Sequence, residues 1–175
     1  MTQSFKVEGR YIELFESQVK ESPLVILNTF ETQGQKVYQE CINSGTKEFT
    51  LAAISNLDWD SDMTPWPIPP IYKKGSPCSG QADQYLKILT EKIIPQIQEK
   101  LKSKPSYIAI AGYSLGGLFA LYAIYKTDIF AKAASASGSL WFPRFIEFAE
   151  STEFIRQPEC IYLSLGDSEA STKNK

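Results

Sequence analysis

Short apolar runs along the chain predict buried strands, at 24–28 (LVILN), 48–55 (EFTLAAIS), 106–111 (SYIAIA), 131–137 (AKAASAS) and 160–165 (CIYLSL). The mixed apolar and charged segment 5–16 (FKVEGRYIELFE) predicts a pair of strands at the N-terminus. The run 106–111 shows no polar alternation, and this predicts that both faces of that strand are covered.

Segments with helical spacing separate these runs, at 31–44, 82–101, 115–126 and 143–154. Pro95 lies inside the second of them, where it should kink the helix or start a new segment. Strands that alternate with helices predict parallel β-α-β units and a mostly parallel, doubly wound sheet. The length of 175 residues fits one α/β domain spanning residues 1–175.

A long loop from Asn56 to about Gly80 interrupts this alternation. It is rich in proline and contains two tryptophans and the acidic string Asp58, Asp60 and Asp62. A loop of this length is uncommon in a compact domain unless it has a function. The acidic string predicts a solvated or capping set, and carboxylates alone are weak evidence for a metal site, so we expect none.

Composition excludes several classes of function. A net charge of −2 gives no electrostatic footprint for nucleic acid or an anionic membrane. No apolar stretch is long enough to span a membrane, and the N-terminus lacks the apolar core of a signal peptide, so we expect a cytoplasmic protein. The odd, widely spaced Cys41, Cys78 and Cys160 predict structural thiols.

The stretch GYSLG at 112–116 is the feature with the clearest chemistry. It has the Gly-x-Ser-x-Gly pattern of a serine hydrolase and lies between a predicted buried strand and a predicted apolar helix. In that setting Ser114 sits on a sharp, strained turn, and Gly112 and Gly116 remove side chains that would collide with the crossing backbone. The N–H of Leu115, at the start of the helix, would face the oxygen of a bound ester.

Four segments resemble the Putative esterase family of α/β-hydrolases, which includes ferric enterobactin esterases and S-formylglutathione hydrolase. They are 53–66 (AISNLDWDSDMTPW), 79–97 (SGQADQYLKILTEKIIPQI), 111–142 (AGYSLGGLFALYAIYKTDIFAKAASASGSLWF) and 161–174 (IYLSLGDSEASTKN). The resemblance implies an α/β-hydrolase fold and a Ser-acid-His triad, with no cofactor and a small-molecule ester as the partner. Carried over, Ser114 is the nucleophile and the N–H of Leu115 is one oxyanion donor. The second donor is expected just after the third strand, near Leu57.

The acid of such a triad follows a late strand, and LSLGDSE offers two carboxylates there. The family pattern places the acid three residues after the glycine, at Glu169. Asp167 is the alternative, since either carboxylate could orient an imidazole. A solvated polar turn is the third interpretation of this segment.

Aromatic residues on the loops after the strands are candidates for substrate binding. Trp59 and Trp141 could form an acyl or aryl pocket or plug the end of the sheet, and Tyr113 adjoins the nucleophile. Trp66 lies among prolines, which favours a place in the core.

The chain contains no histidine, although a hydrolytic serine nearly always needs a base. In this fold the histidine follows the acid, so we expect it beyond Lys175, together with a final strand and helix that this C-terminally incomplete domain lacks. The sequence therefore predicts a serine hydrolase of carboxylic esters that works through an acyl-enzyme on Ser114. A non-catalytic binding protein and an acyltransferase are the alternatives, and the oligomeric state is open.

Overall fold

The computed structural model describes residues 2–70, 75–167 and 169 of the chain. The strands are β1 (Thr2–Val7), β2 (Arg10–Phe15), β3 (Leu24–Asn28), β4 (Thr50–Ser55), β5 (Ile108–Tyr113), β6 (Phe130–Ala136) and β7 (Cys160–Ser164). They form one sheet in the order β1-β2-β4-β3-β5-β6-β7.

The sheet is antiparallel at one end and parallel over the rest. β1 and β2 form the predicted N-terminal hairpin, and β2 pairs antiparallel with β4. From β4 through β3, β5 and β6 to β7 every neighbouring pair is parallel. In this register Ile26 at the centre of β3 lies between Ala52 and Ile110, so the middle of the sheet is built from aliphatic side chains.

Helices connect the strands as the alternation of patterns predicted. They are α1 (Gly34–Asn43), α2 (Trp59–Asp62), α3 (Ala82–Ile88), a π-helical turn (Leu89–Ile93), α4 (Ile94–Lys100), α5 (Leu115–Lys126) and α6 (Phe145–Ser151). Pro95 is the second residue of α4 and follows directly on the π-helical turn. The backbone is helical on both sides of this join, since Ile93 has φ −72° and ψ −54° and Ile94 has φ −59° and ψ −45°. The interruption expected at this proline therefore takes the form of a π-helical turn inside one helical run.

Two core clusters lie on opposite faces of the sheet, because successive side chains of a strand alternate between faces. Ala52 and Ile54 of β4 join the larger cluster with the apolar side of α5, whereas Leu51 and Ala53 join the smaller one. Tyr38 of α1 packs against that smaller cluster. Helices on both faces confirm the doubly wound α/β arrangement.

The prediction that both faces of β5 are covered is wrong. Ile110 is fully buried, but Ala109 and Ala111 are only half-buried and Tyr113 is exposed. Residues 108–111 of the run are all apolar because the second face of the strand carries alanines, whose small side chains tolerate partial exposure. At this strand the absence of polar alternation therefore reflects the small size of the alanine side chains as well as burial.

β7 forms an edge of the sheet and is largely exposed. It pairs with β6 on one side, and Ile161, Tyr162 and Leu163 are each at least 40% exposed. Leu165 just beyond the strand is exposed as well. Residues 170–175 and the central part of the long loop, 71–74, lie outside the described residues.

The described helices include none with the length and apolarity needed to cross a membrane. The three cysteines are free thiols, with Cys78 buried, Cys41 half-buried and Cys160 exposed. The prediction of structural thiols therefore fits Cys78, which belongs to the larger core cluster, better than the exposed Cys160.

Candidate active site

Ser114 lies on the turn between β5 and α5, as its sequence setting predicts. Its backbone has φ 52° and ψ −125°, a strained conformation for a residue with a side chain. The N–H of Ser114 donates to the carbonyl of Ala136 at 3.2 Å, which ties the turn to the end of β6. This hydrogen bond helps to hold Ser114 in a backbone conformation that it would otherwise avoid.

Close backbone approach explains the two glycines of the motif. A Cβ at Gly112 would lie 2.2 Å from the carbonyl oxygen of Gly116, a contact that no side chain can make. A Cβ at Gly116 would meet the Trp59 ring at 2.9 Å and the carbonyl oxygen of Asn28 at 3.4 Å. The start of α5 is therefore enclosed by the end of β3 and by the loop after β4.

The loop after β6 places a second hydroxyl beside Ser114. The N–H of Ser139 donates to the carbonyl of Ser114 at 3.0 Å, and the two side-chain oxygens lie 3.4 Å apart. Ser139 is almost fully buried. The sequence interpretation missed this residue, although the small-residue string ASGS at 136–139, directly after a predicted strand, was a usable signal.

Glu169 is oriented at the carboxyl end of β7. Its Oε1 accepts hydrogen bonds from the Ser137 hydroxyl at 2.5 Å and from the N–H of Gly166 at 2.9 Å. The Ser137 hydroxyl, and then the Gly166 N–H, hold the pKa of this carboxyl below its usual range. Asp167, the alternative acid, is exposed on the same turn. The contacts therefore favour Glu169 over Asp167 as the fixed carboxylate.

The strand count corrects the position expected for the second oxyanion donor. Leu57 follows β4, which is the fourth strand of the chain, and not the third. The strand next to β5 is β3, which ends at Asn28, beside Gly116. Thr29 uses its N–H on the carbonyl of Ile54 at 2.9 Å, so the next N–H along the chain, that of Phe30, is the better candidate.

Three aromatic rings gather at the same edge of the sheet. The ring centroids of Phe30 and Trp59 lie 5.7 Å apart in an edge-to-face contact, and those of Trp59 and Tyr113 are also 5.7 Å apart. Phe30 and Tyr113 are exposed, so the rings form an apolar surface open to a ligand. Phe30 was not among the residues singled out from the sequence.

The other two tryptophans have different surroundings. Trp141 is 55% exposed on the loop after β6, and within the described part of the chain it makes no ring contact with the group around Trp59. Trp66 packs against the core, as predicted, and its indole N–H donates to the carbonyl of Pro143 at 2.8 Å.

The acidic string of the long loop was expected to be a solvated or capping set, and Asp62 does not fit the solvated interpretation. Asp62 is buried, and its Oδ2 bonds Arg10 of β2 at 3.0 Å and accepts the N–H of Asp58 at 3.2 Å. Burial raises the pKa of the Asp62 carboxyl, which the Arg10 guanidinium partly offsets. This ion pair fixes α2, which begins at Trp59, against the sheet.

A sequence profile of the family described as Putative esterase matches residues 27–168. The chain belongs to this family. The match runs from the last two residues of β3 through β7 and includes the turn that carries Ser114.

Two curated proteins resemble parts of the chain at moderate sequence identity. The chain is 29% identical over 129 residues to the uncharacterised protein YbbA of Bacillus subtilis, covering 72% of this chain and 52% of YbbA. It is 35% identical over 94 residues to a siderophore enterobactin esterase of Emericella nidulans, covering 50% of this chain and 31% of that relative. The chain thus matches about half or less of each relative's length.

Solved structures show the fold. An IroE-like serine hydrolase from Shewanella oneidensis superposes with a TM-score of 0.72 at 18% identity, over 86% of this chain and 55% of that one. The α/β-hydrolase fold predicted from the sequence is therefore confirmed.

Proposed function

We propose that the protein is a serine hydrolase of carboxylic esters and that Ser114 is its nucleophile. The observation that carries the proposal is the strained conformation of Ser114 at a strand-to-helix turn, within a chain of the esterase family. Strain of this kind persists where surrounding structure enforces it, and it clusters at active sites. The Ser137 and Gly166 contacts of Glu169 support this residue as the acid.

The reaction would proceed through an acyl-enzyme. The Ser114 oxygen attacks the ester carbonyl carbon while a base takes the hydroxyl proton, and the carbonyl oxygen becomes negative. The N–H groups of Leu115 and Phe30 would hold that oxygen. Collapse of the tetrahedral species expels the alcohol, which takes the proton from the base. Water, deprotonated by the same base, then attacks the acyl group and frees Ser114.

The proposal places the base on a histidine beyond Lys175, with Glu169 orienting its imidazole. No histidine occurs within the 175 residues, and the curated relatives are longer than the parts that match. Without a base, oxyanion stabilisation alone leaves only a small part of the rate enhancement of a complete triad.

For the substrate we propose an ester of the siderophore class with a planar aromatic group. Two observations support this choice. The chain is similar to the siderophore enterobactin esterase of Emericella nidulans, and the rings of Phe30 and Tyr113 are exposed beside Trp59. Aromatic rings favour offset or edge-to-face contact with another ring, which would hold such an acyl group beside Ser114.

A non-catalytic binding protein is the second candidate, and the absence of histidine from the chain favours it. Such a protein would use the same aromatic surface to bind the ester without cleaving it.

Added imidazole separates these functions, because it can act as the missing base. We expect hydrolysis of a p-nitrophenyl ester by the chain to rise with imidazole concentration, after subtraction of the rate measured with the Ser114→Ala variant. A parent rate equal to that of Ser114→Ala at every imidazole concentration would refute the hydrolase and leave the binding protein.

A further inference from the structure

We propose that Ser139 is a positioning residue for Ser114, and this inference rests on the hydrolase proposed above. Its hydroxyl oxygen lies 3.4 Å from that of Ser114, a contact longer than a well-formed hydrogen bond between hydroxyls, and either hydroxyl can be the donor. Ser139 holds the Ser114 side chain in the rotamer from which it attacks, and its O–H donates to the Ser114 oxygen as negative charge develops there. Ser139 keeps its own proton throughout, since the proton of Ser114 goes to the base.

The backbone of Ser139 is fixed on both sides, so its hydroxyl cannot easily move away. Its N–H donates to the Ser114 carbonyl at 3.0 Å, and its carbonyl accepts the N–H of Phe142 at 2.9 Å. Only 4% of the residue is exposed. A hydroxyl held in this way loses little conformational entropy when it bonds Ser114.

Two glycines bring the loop of Ser139 against the start of α5. A Cβ at Gly117 would lie 3.0 Å from the Cα of Gly138 and 2.6 Å from the Ser135 hydroxyl. A Cβ at Gly138 would meet the same hydroxyl at 2.1 Å. The close approach of loop and helix thus depends on the absence of both side chains, and it places Ser139 at the nucleophile.

The loop after β6 that carries Ser139 also contacts the proposed acid. Ser137, two residues earlier on the same loop, donates to Glu169, while Ser139 reaches Ser114. One loop therefore contacts both the proposed acid and the proposed nucleophile. This arrangement links the orientation of the two groups through the end of β6.

Substitution of Ser139 tests the proposal by two independent measurements. In Ser139→Ala we expect the imidazole-supported acylation of Ser114 to slow about 3- to 10-fold with unchanged KM, the effect of one neutral hydrogen bond. Ser139→Thr keeps the hydroxyl and should recover most of the rate. Ser44→Ala, at the exposed end of α1, is the matched control and should leave the rate unchanged.

The second measurement does not need activity. Crystal structures of the parent and of Ser139→Ala should show one Ser114 rotamer in the parent and several in the variant. Equal acylation rates with an unchanged rotamer would overturn the role of Ser139. If the parent shows no Ser114-dependent hydrolysis, the proposed function fails, and the rotamer comparison alone then decides whether Ser139 positions Ser114.

Discussion

At the scale of single residues, the turn that carries Ser114 depends on the absence of a side chain at Gly112. The Cβ of an alanine at position 112 would overlap the Gly116 carbonyl, which is backbone and cannot rotate away. We expect Gly112→Ala to lower the free energy of unfolding by about 3 kcal/mol, near the upper end for overpacking, and to abolish Ser114 reactivity. Chemical denaturation and ester hydrolysis measure the two effects.

Gly45→Ala is the control for that substitution. Gly45 has φ 73° but no atom within 4 Å of an added Cβ, so the variant reports backbone strain without overlap. It should cost about 1–2 kcal/mol and leave Ser114 reactivity intact. Equal losses of activity in the two variants would contradict the role assigned to the close contact at Gly112.

The pKa of Glu169 tests the choice of acid. Because the Ser137 hydroxyl is the main cause of its lowered pKa, Ser137→Ala should raise that pKa towards the ordinary value for a glutamate. A lowered pKa favours the folded state above the unfolded-state pKa, and this contribution is lost as pH falls through the folded-state pKa. An NMR titration of the Glu169 carboxyl measures the shift, and an unchanged pKa in Ser137→Ala would remove the main support for the orientation of Glu169.

At the scale of elements, the Arg10–Asp62 pair joins β2 to α2. The Asp62 side chain is 8% exposed and that of Arg10 21%, so removal of one partner leaves a poorly solvated charge. We expect Asp62→Ala to lower the free energy of unfolding by about 2 kcal/mol, less than for a fully buried pair. Denaturant titration measures it.

The double variant Arg10→Met, Asp62→Ala removes both charges and should recover most of that loss. If the double variant is as unstable as the sum of the two single variants, the two side chains do not interact as described.

Elements of this protein could be predicted wherever a pattern had one physical cause. The Ser114 turn and α5 follow from glycine and apolar spacing, and the structure begins and ends that helix at the predicted residues. Leu57 was expected as an oxyanion donor because segment 53–66 resembled the loop after the third strand of the esterase family, and a resemblance of this kind does not show which strands become neighbours. β3 lies next to β5 although β4 comes between them in the chain, so the relevant loop begins after Asn28.

The other residues of the site are brought together by contacts between loops that are distant in the sequence, and local sequence patterns cannot predict such contacts. Ser139 meets Ser114 across 25 positions, and Phe30 meets Trp59 through a fold-dependent contact. Asp62 looked like one of three equivalent loop acids, yet it is buried through its pairing with Arg10 of β2. Tertiary structure alone distinguishes it from Asp58 and Asp60.

At the scale of the whole molecule, β7 pairs with β6 alone among the described strands, and this edge of the sheet exposes apolar side chains. Edges of this kind pair readily with other strands. We expect the 175-residue chain to self-associate as its concentration rises, and Leu163→Lys to weaken the association because it places a charge on that edge. Sedimentation velocity over a concentration series measures both.

Lys87→Ala, which changes an exposed residue of α3, is the control and should associate like the parent. A parent chain that stays monomeric at all concentrations would show that this edge is not adhesive in solution.

The most direct test of the account is to locate the adduct that a fluorophosphonate forms with the chain in the presence of imidazole. The account predicts one phosphonyl group per chain, found by peptide mass spectrometry on Ser114, and none in Ser114→Ala. An unmodified Ser114 in the parent, or label spread over several other serines, would contradict the claim that Ser114 is the nucleophile.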